Sequence, residues 1–346
     1  MALELRQIIA IVGGIAALAV GAFIVLSGDA DEVPGLGRVL APPTCPLTGV
    51  EPRNDALLER PAVAVKVENA SVAYPLSGLE DADVVYEELV EGGITRFMAI
   101  YHCTDSPKVG PVRSARLVDA AIMTPTTKIL AFSGANAPVM KALGQADVVQ
   151  VTETAAGGAM KRIPRAGLTS EHTLYADTDA VRKIGAKKFS DPPPGDQYEA
   201  GELQGPSKKA TSVEINFSGA TSVTYRFAKG RWLRSQNGSS FEDDSGKQIT
   251  VENVLIEEHD VNLSESIVDV AGNPSVEIED ETGSGRAVLF RNGRAITGRW
   301  TRESVEGGVS FKTKSGDQMV FAPGSIWIHL VPSGKGEVKG SFSFGK

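Results

Sequence analysis

Residues 84–101, VVYEELVEGGITRFMAIY, place the dipeptide Gly92-Gly93 between two β-rich segments. Two adjacent glycines can supply the positive φ angles that a type I′ turn needs, so this stretch predicts an antiparallel hairpin and decides the fold of the first half of the chain. The alternative that the same residues allow is a helix over 82–91, N-capped by Asp81 and ended by the glycines.

The hairpin register predicted from this turn gives the charged residues different neighbours. Arg96 lies diagonally between Glu87 and Glu91, which is typical of a cross-strand ion pair. Glu88 lies on the other face, opposite Phe97, among apolar and aromatic side chains. A carboxylate there needs a cationic partner or hydrogen-bond donors, or its pKa rises. Glu88 is therefore either a structural carboxylate or a candidate general acid.

Residues 110–123, GPVRSARLVDAAIM, combine a turn, a helix start and two arginines. Ser114 can cap a helix that begins near Ala115, whose first backbone N–H groups have no partner within the helix. Together with Arg113 and Arg116, these groups predict a binding site for a carboxylate, a phosphate or a sugar acid. The alternative is that both arginines pair with carboxylates of the same chain.

Residues 161–185, KRIPRAGLTSEHTLYADTDAVRKIG, bring Ser170, Glu171 and His172 together in a loop before a helix capped by Asp177. Sequence neighbours rarely face each other, and no G-x-S-x-G turn accompanies them, so a serine hydrolase is not indicated. His172 is a candidate acid, base or ligand-orienting group. The alternative is a buried histidine that serves the fold through its hydrogen bonds.

Local patterns differ between the two halves of the chain. The first half alternates short apolar strands with segments of helical length, whereas the second has short β-rich runs separated by turn dipeptides such as Asn292-Gly293. The predicted fold class is α+β: an N-terminal mixed α/β domain, then a β-rich antiparallel C-terminal domain, with one N-terminal transmembrane helix. In the first half we predict strands at 62–67, 128–132 and 148–151, and helices at 117–123 and 137–143.

Residues 8–26 form an uncharged apolar run, long enough to cross a bilayer as a helix. Arg6 precedes the run and acidic residues follow it, which predicts a single-pass plasma-membrane protein with a cytoplasmic N-terminus and an extracytoplasmic bulk. The alternative is a cleaved signal peptide, because Ala17 and Ala19 form an A-x-A pattern. The predicted organisation is a cytoplasmic stub at 1–7, a transmembrane anchor at 8–26, a Pro-rich stalk at 27–54, the N-terminal domain at 55–190, a linker at 191–209 and the C-terminal domain at 210–346.

Composition and net charge argue against some classes of binding partner. A net charge of −8 and a pI of about 5.2 argue against a nucleic-acid or anionic-membrane binder, whose surface would be basic. The two cysteines, Cys45 and Cys103, both follow the membrane run and are predicted to form a disulfide. The four histidines have no metal-ligand spacing, so neither a metal nor a cofactor is expected.

Several segments closely resemble the YerB-like family of bacterial extracytoplasmic lipoproteins. The first are 81–102 (DADVVYEELVEGGITRFMAIYH), 109–116 (VGPVRSAR) and 170–176 (SEHTLYA). Residues 283–302 and 324–332 resemble the separate C-terminal domain of that family. The resemblance covers about residues 55–335, and it implies no assigned reaction, because the family is described as a domain of unknown function.

The resemblance also implies a polar signature, which falls on Glu88, Glu91, Thr95, Arg96, Arg113, Ser114, Arg116 and His172. One departure concerns the membrane anchor. Typical members carry a lipobox cysteine after the apolar run, but Asp29 stands there in this chain. We therefore expect a transmembrane anchor instead of a lipid.

Two function classes follow from the sequence. The first is a membrane-anchored protein that binds an envelope glycan or an envelope assembly protein, with an anionic ligand held in the N-terminal domain by Glu91, Thr95, Arg96, Arg113, Ser114 and Arg116. The alternative is a peptidoglycan-cleaving hydrolase or lyase, in which Glu88 or Glu91 is the general acid and is oriented by His172 and the arginines. Sequence alone does not decide whether the protein is an enzyme.

Overall fold

The hairpin at 84–101 forms, and its two strands lie in the middle of a large β-sheet. The computed structural model describes residues 42–195, 197–269, 272–279 and 281–346. Within those ranges the chain contains 21 strands and three α-helices.

The helices all lie in the first half of the chain: α1 (Asp119–Met123), α2 (Ala137–Gln145) and α3 (Thr178–Gly185). The strands of the same half are β1 (Val63–Glu68), β2 (Val84–Leu89), β3 (Thr95–Tyr101), β4 (Ile129–Phe132), β5 (Val149–Thr152), β6 (Met160–Arg162) and β7 (Leu174–Ala176). The second half contributes β8 (Lys208–Lys209), β9 (Ser212–Asn216), β10 (Ser222–Ala228), β11 (Arg231–Gln236), β12 (Ser239–Ser240), β13 (Thr250–Val251), β14 (Asn253–His259), β15 (Val261–Val268), β16 (Pro274–Ile278), β17 (Gly283–Arg291), β18 (Arg294–Arg302), β19 (Ser310–Thr313), β20 (Ile326–Pro332) and β21 (Ser341–Gly345).

The large sheet takes strands from both halves of the chain. Its order is β19-β18-β17-β14-β20-β2-β3-β1-β4-β5, with β8 beside β18. Strand β20 runs parallel to both of its neighbours, β14 and β2, so it joins the hairpin directly to strands of the second half. A second sheet has the order β12-β11-β10-β9-β21, with β13 beside β11, and β15-β16 and β6-β7 form separate two-stranded ribbons.

Apolar side chains pack on both faces of the large sheet. On one face, helices α1 and α2 cover a cluster that includes Met98, Leu130 and Trp300. On the other face, the second sheet and α3 cover a cluster that includes Phe97 and Trp327. Residues 44–346 form one compact unit, and the central strands β1, β2, β3 and β20 are buried along their whole length.

The predicted mixed α/β N-terminal domain is wrong, because the described chain is mostly β-sheet. The three α-helices contain only 5, 9 and 8 residues. Local periodicity misses this composition, since the partner of β2 is a strand more than 200 residues away in sequence. Strands buried on both faces also lack the alternation that marks a strand with one wet face.

The predicted transmembrane helix finds no support. Among the residues that the structure describes, no helix is long and apolar enough to cross a membrane. The apolar run at 8–26 lies outside the described residues.

The predicted hairpin register is wrong by one residue. The Val90 N–H donates to the Ile94 carbonyl at 2.8 Å, so the loop between them holds three residues rather than the two glycines alone. In the strand register, Glu88 therefore lies opposite Arg96. Because side chains alternate along a strand, this shift moves Arg96 onto the face of Glu88 and away from Glu87.

The helix predicted to begin near Ala115 begins instead at Asp119. Ser114 does not cap it: its hydroxyl lies 3.5 Å from that of Ser133, and the residue at the cap position makes no side-chain hydrogen bond. The Asp119 carboxylate accepts the Arg116 N–H at 2.6 Å, which holds residues before the helix in a turn. The anion site therefore cannot depend on a helix N-terminus here.

The predicted disulfide between Cys45 and Cys103 is confirmed. It links the segment before β1 to the residue just after the end of β3. Cys45 is buried, and its N–H and carbonyl close a turn with Val50 and Gly49. The bond therefore fixes the start of the described chain to the central sheet.

Candidate functional site

One face of the central sheet carries a row of charged side chains on adjacent strands. In the strand register, Arg96 of β3 lies opposite Glu68 of β1 on one side and opposite Glu88 of β2 on the other. Lys66 shares this face, two residues before Glu68. A buried charge is destabilising unless it has a counter-charge or hydrogen bonds, so the position of each of these side chains depends on the partners around it.

Arg96 also lines an open cleft of about 360 Å³. The cleft brings together five of the six residues predicted to bind a ligand: Glu91, Arg96, Arg113, Ser114 and Arg116. Its remaining walls are residues that the sequence did not suggest: Gly134, Ala135 and Asn136 before α2, and Val268 and Asp269 at the end of β15. Three separate segments of the first half and one strand of the second half thus form one site.

Arg116 and Glu91 form an ion pair at the edge of the cleft. The Arg116 Nε donates to Glu91 Oε2 at 2.9 Å, and its Nη2 contacts the same oxygen. The Ser275 hydroxyl of β16 donates to the other Glu91 oxygen at 2.9 Å. Burial is the largest single influence on the pKa of Glu91 and would raise it, but the hydrogen bond and charge of Arg116 and the bond from Ser275 together lower the pKa. Glu91 is therefore a charged carboxylate that neutralises Arg116.

Arg113 and His172 share a second carboxylate, Glu68. The Arg113 Nε lies 3.7 Å from Glu68 Oε1, and the Arg113 Nη1 donates to the Glu171 carbonyl at 2.9 Å. The His172 Nδ1 lies 2.8 Å from Glu68 Oε2. His172 is thus held next to the cleft without lining it. Glu68 could have been found from the sequence as a charged residue at the end of a strand whose other residues, apart from Lys66, are apolar.

Arg96 differs from the other two arginines. Its side chain donates one hydrogen bond, from Nη1 to the Ser114 carbonyl at 2.9 Å, and no carboxylate oxygen of the described residues lies within 4 Å of its guanidinium. The residue is only 8% exposed. Burial, followed by repulsion from Arg116 and Arg113, lowers the pKa of Arg96 to about 9. At neutral pH it remains a buried cation that faces an open cleft.

Lys66 lies beneath the cleft between two carboxylates. Its Nζ donates to Asp119 Oδ1 at 2.7 Å and contacts Glu88 Oε1, and none of the three side chains is more than 1% exposed. Burial lowers the pKa of Lys66 to about 8, against the opposing effect of Asp119. Because Glu88 is closed off from solvent by this contact, it does not line the cleft. Lys66 was not among the predicted site residues, although a lysine within a mainly apolar strand could have indicated it.

The described part of the chain offers no cluster of three or more His, Cys, Asp or Glu side chains that could hold a metal ion. What the cleft offers is guanidinium and hydroxyl donors beside small side chains. That arrangement is suited to binding an anion by hydrogen bonds and charge.

Family models match both halves of the chain. The model described as "Protein of unknown function (DUF3048) N-terminal domain" matches residues 47–191, and the DUF3048 C-terminal domain matches residues 213–328. This chain belongs to the DUF3048 family.

The predicted resemblance to the YerB-like family is confirmed by a similar sequence and a similar solved structure. The chain is 30% identical over 315 residues to "Putative lipoprotein YerB" of Bacillus subtilis (strain 168), covering 87% of this chain and 89% of that protein. It also resembles the crystal structure of YerB protein from Bacillus subtilis, with a TM-score of 0.70 and 27% identity over 87% of this chain and 99% of that one.

Both DUF3048 segments contribute to the cleft. The N-terminal segment supplies Arg96, Arg113 and Arg116, whereas Val268 and Ser275 come from the C-terminal segment. A DUF3048 N-terminal segment alone would therefore lack one wall of the site.

On the opposite face of the sheet the two segments meet in a buried network around Glu87. Its carboxylate lies 3.0 Å from Arg234 Nη2 and 3.0 Å from His329 Nδ1, and it accepts hydrogen bonds from Thr95 Oγ1 at 2.7 Å and Asn69 Nδ2 at 3.2 Å. Thr95 was predicted to bind a ligand, but it belongs to this network and does not line the cleft. We call these five residues the Glu87 network.

The Glu87 network predicts a specific acid sensitivity. Burial alone would raise the pKa of Glu87, but Arg234 and His329 outweigh it and lower the pKa to about 2 from 4.5. The stabilisation is complete above the unfolded value of 4.5 and is lost as the pH falls towards 2, because the unfolded chain binds the proton first. In that window we expect wild-type stability to fall by about 1.4 kcal/mol per pH unit more steeply than that of Glu87→Gln, as measured by urea unfolding. Parallel slopes would contradict a charged Glu87.

Proposed function

We propose that this protein binds an anionic group of a cell-envelope glycan in the cleft lined by Arg96, Arg113 and Arg116, on the extracytoplasmic side of the membrane. The observation that carries the proposal is Arg96, a buried guanidinium that faces an open cleft and has no carboxylate of the described chain within 4 Å. A buried charge without a counter-charge costs stability, and an anionic ligand would supply the missing partner.

Two observations support the extracytoplasmic location. The disulfide between Cys45 and Cys103 is of the kind that persists in oxidising compartments. The Bacillus subtilis relative is named a lipoprotein, which is a protein attached to a membrane from outside the cytoplasm. An envelope glycan is the anionic polymer that such a protein meets.

The alternative of glycan cleavage by Glu88 receives no support from the geometry. The Glu88 carboxylate is 1% exposed and contacts Lys66 rather than the cleft. A general acid has to reach the oxygen of the leaving group, which requires access to the ligand. Glu91 does line the cleft, but its pair with Arg116 favours the charged carboxylate, which has no proton to donate. Both carboxylates therefore favour binding over cleavage.

The proposal is tested by titrating the wild-type protein and Arg96→Gln with muramyl dipeptide, using neutral chitotetraose as the comparison ligand. We expect wild type to prefer muramyl dipeptide, and Arg96→Gln to lose about 10- to 100-fold in affinity, because a hydrogen bond to a charged group contributes roughly 1.5–3 kcal/mol. Arg299→Gln is the matched control, since Arg299 is exposed and lies on β18, away from the cleft. Equal binding by wild type and Arg96→Gln would refute the proposal.

Stability gives an independent prediction. Arg96→Met should leave the free energy of unfolding unchanged or raise it by about 1 kcal/mol, because it removes a buried charge that lacks a counter-ion. Arg116→Gln should lower it by about 3 kcal/mol, because Glu91 is left charged and buried. Both values are read from urea unfolding curves. If Arg96→Met is the more damaging variant, Arg96 serves the fold rather than a ligand.

A further inference from the structure

The charges around the cleft can be counted pair by pair. Arg116 is neutralised by Glu91, and Arg113 lies 3.7 Å from Glu68. Among the described residues, Arg96 has no carboxylate within 4 Å. Asp269 adds one more carboxylate to the wall of the cleft, where it accepts hydrogen bonds from Asn273. Arg96 is therefore the guanidinium whose charge is left for a ligand.

The layer of side chains beneath the cleft carries more negative than positive charges. Lys66 is one cation between two carboxylates, Glu88 and Asp119. All three groups are buried, so little water screens their field. A second negative charge on a ligand would therefore meet no further unpaired cation among the described residues of the cleft, and it would face Glu91 and Asp269 at the walls and this layer below.

The walls of the cleft limit the group that carries the charge. Ala135 and Val268 are small or apolar, and an added Cβ at Gly134 would meet no atom within 4 Å, so this side is open, and the charge that it carries is the negative one of Asp269. Ser114 and Asn136 lie beside them and can bond a neutral amide or hydroxyl. These walls suit a charged group joined to a short, neutral neighbour.

We infer that the cleft selects a monoanionic carboxylate attached to a small neutral unit, and that it discriminates against a phosphate dianion. This inference rests on the proposed function and names the ligand class of the same site. The carboxylate can come from the end of a short peptide or from a sugar acid, since both carry one charge beside neutral polar atoms.

The test is a set of titrations of the full chain at pH 7.5 with N-acetylalanine, glucuronic acid, glycerol 3-phosphate and muramyl dipeptide. We expect at least one of the two small carboxylates to bind about 10-fold or more tightly than glycerol 3-phosphate, because the second phosphate charge meets only like charges. Tighter binding of N-acetylalanine identifies a peptide end, and tighter binding of glucuronic acid identifies a sugar acid.

A variant that removes one carboxylate from the cleft provides a second test of the inference. Glu91→Gln leaves a second guanidinium without a counter-charge, so it should bind glycerol 3-phosphate more tightly than wild type does, by about 10-fold. Glu265→Gln, on the exposed side of β15, is the matched control. If Glu91→Gln does not fold, diethyl phosphate replaces it: this monoanion should bind wild type more tightly than the dianion glycerol 3-phosphate.

The outcomes separate the two proposals. If muramyl dipeptide binds through Arg96 but glycerol 3-phosphate binds as well as the small carboxylates, the carboxylate inference is overturned and the proposed function stands. If none of the four compounds binds, both are overturned.

Discussion

Arg234→Met is expected to lower the free energy of unfolding by about 3–5 kcal/mol, because it removes the guanidinium partner of Glu87 and leaves that carboxylate charged in the interior. Both side chains are fully buried, 3.0 Å apart, and the Arg234 guanidinium also lies 4.0 Å from the ring centroid of Phe241. Methionine fills most of the volume, so the loss reports mainly on charge. Burial opposes the charge on Arg234, yet Glu87 raises the pKa of Arg234.

Urea unfolding of three variants measures this effect. Arg231→Met is the matched control on the same strand, since Arg231 is 47% exposed in its pair with Glu252 and should cost no more than about 1 kcal/mol. The double variant Glu87→Gln, Arg234→Met should recover part of the loss, because no buried charge remains between them. A double variant less stable than Arg234→Met would mean that the pair is not what stabilises this interface.

Removing the disulfide should have an effect of similar size. Changing Cys45 and Cys103 together to serine is expected to cost about 4 kcal/mol, because the bond closes a loop over a separation of 58 residues in the unfolded chain. The cost should appear as a lower midpoint in urea, together with a larger m-value, because the unfolded chain expands once the loop is open.

Wild type treated with a reductant is the natural control for the serine variant. It should match the variant in both midpoint and m-value, since the two chains differ only in hydroxyl or thiol groups. An oxidised wild type that unfolds at the same urea concentration as the variant would show that the bond does not stabilise the fold.

Several features followed from the sequence because their causes are local. Two cysteines in one chain leave one pairing within it, and the structure contains it. Asp177 accepts a hydrogen bond from the N–H of Ala180 and caps α3 as a short side chain at that position should. The turn at Asn292-Gly293 has positive φ at both residues, as the dipeptide predicts.

The sequence predicted most residues of the candidate site, but it did not predict how they are positioned or which partners they contact. Five of the predicted ligand-binding residues do meet in one cleft, yet the helix start expected to bind the anion begins four residues later, at Asp119. Glu88 finds its cation in Lys66, and His172 finds its carboxylate in Glu68. These partners lie on β1, and nothing near Glu88 or His172 in sequence indicates them.

What the sequence determined by itself was the existence of the hairpin, the helix cap at Asp177 and the disulfide, because each depends on residues a few positions apart or on a single possible pairing. The tertiary structure alone decided the register, since one more residue in the loop moved Arg96 onto the face of Glu88. It also decided the fold class, because β20 reaches the hairpin from the far end of the chain. Burial and charge at a site depend on which strands become neighbours, and pairing between distant strands leaves no trace in local periodicity.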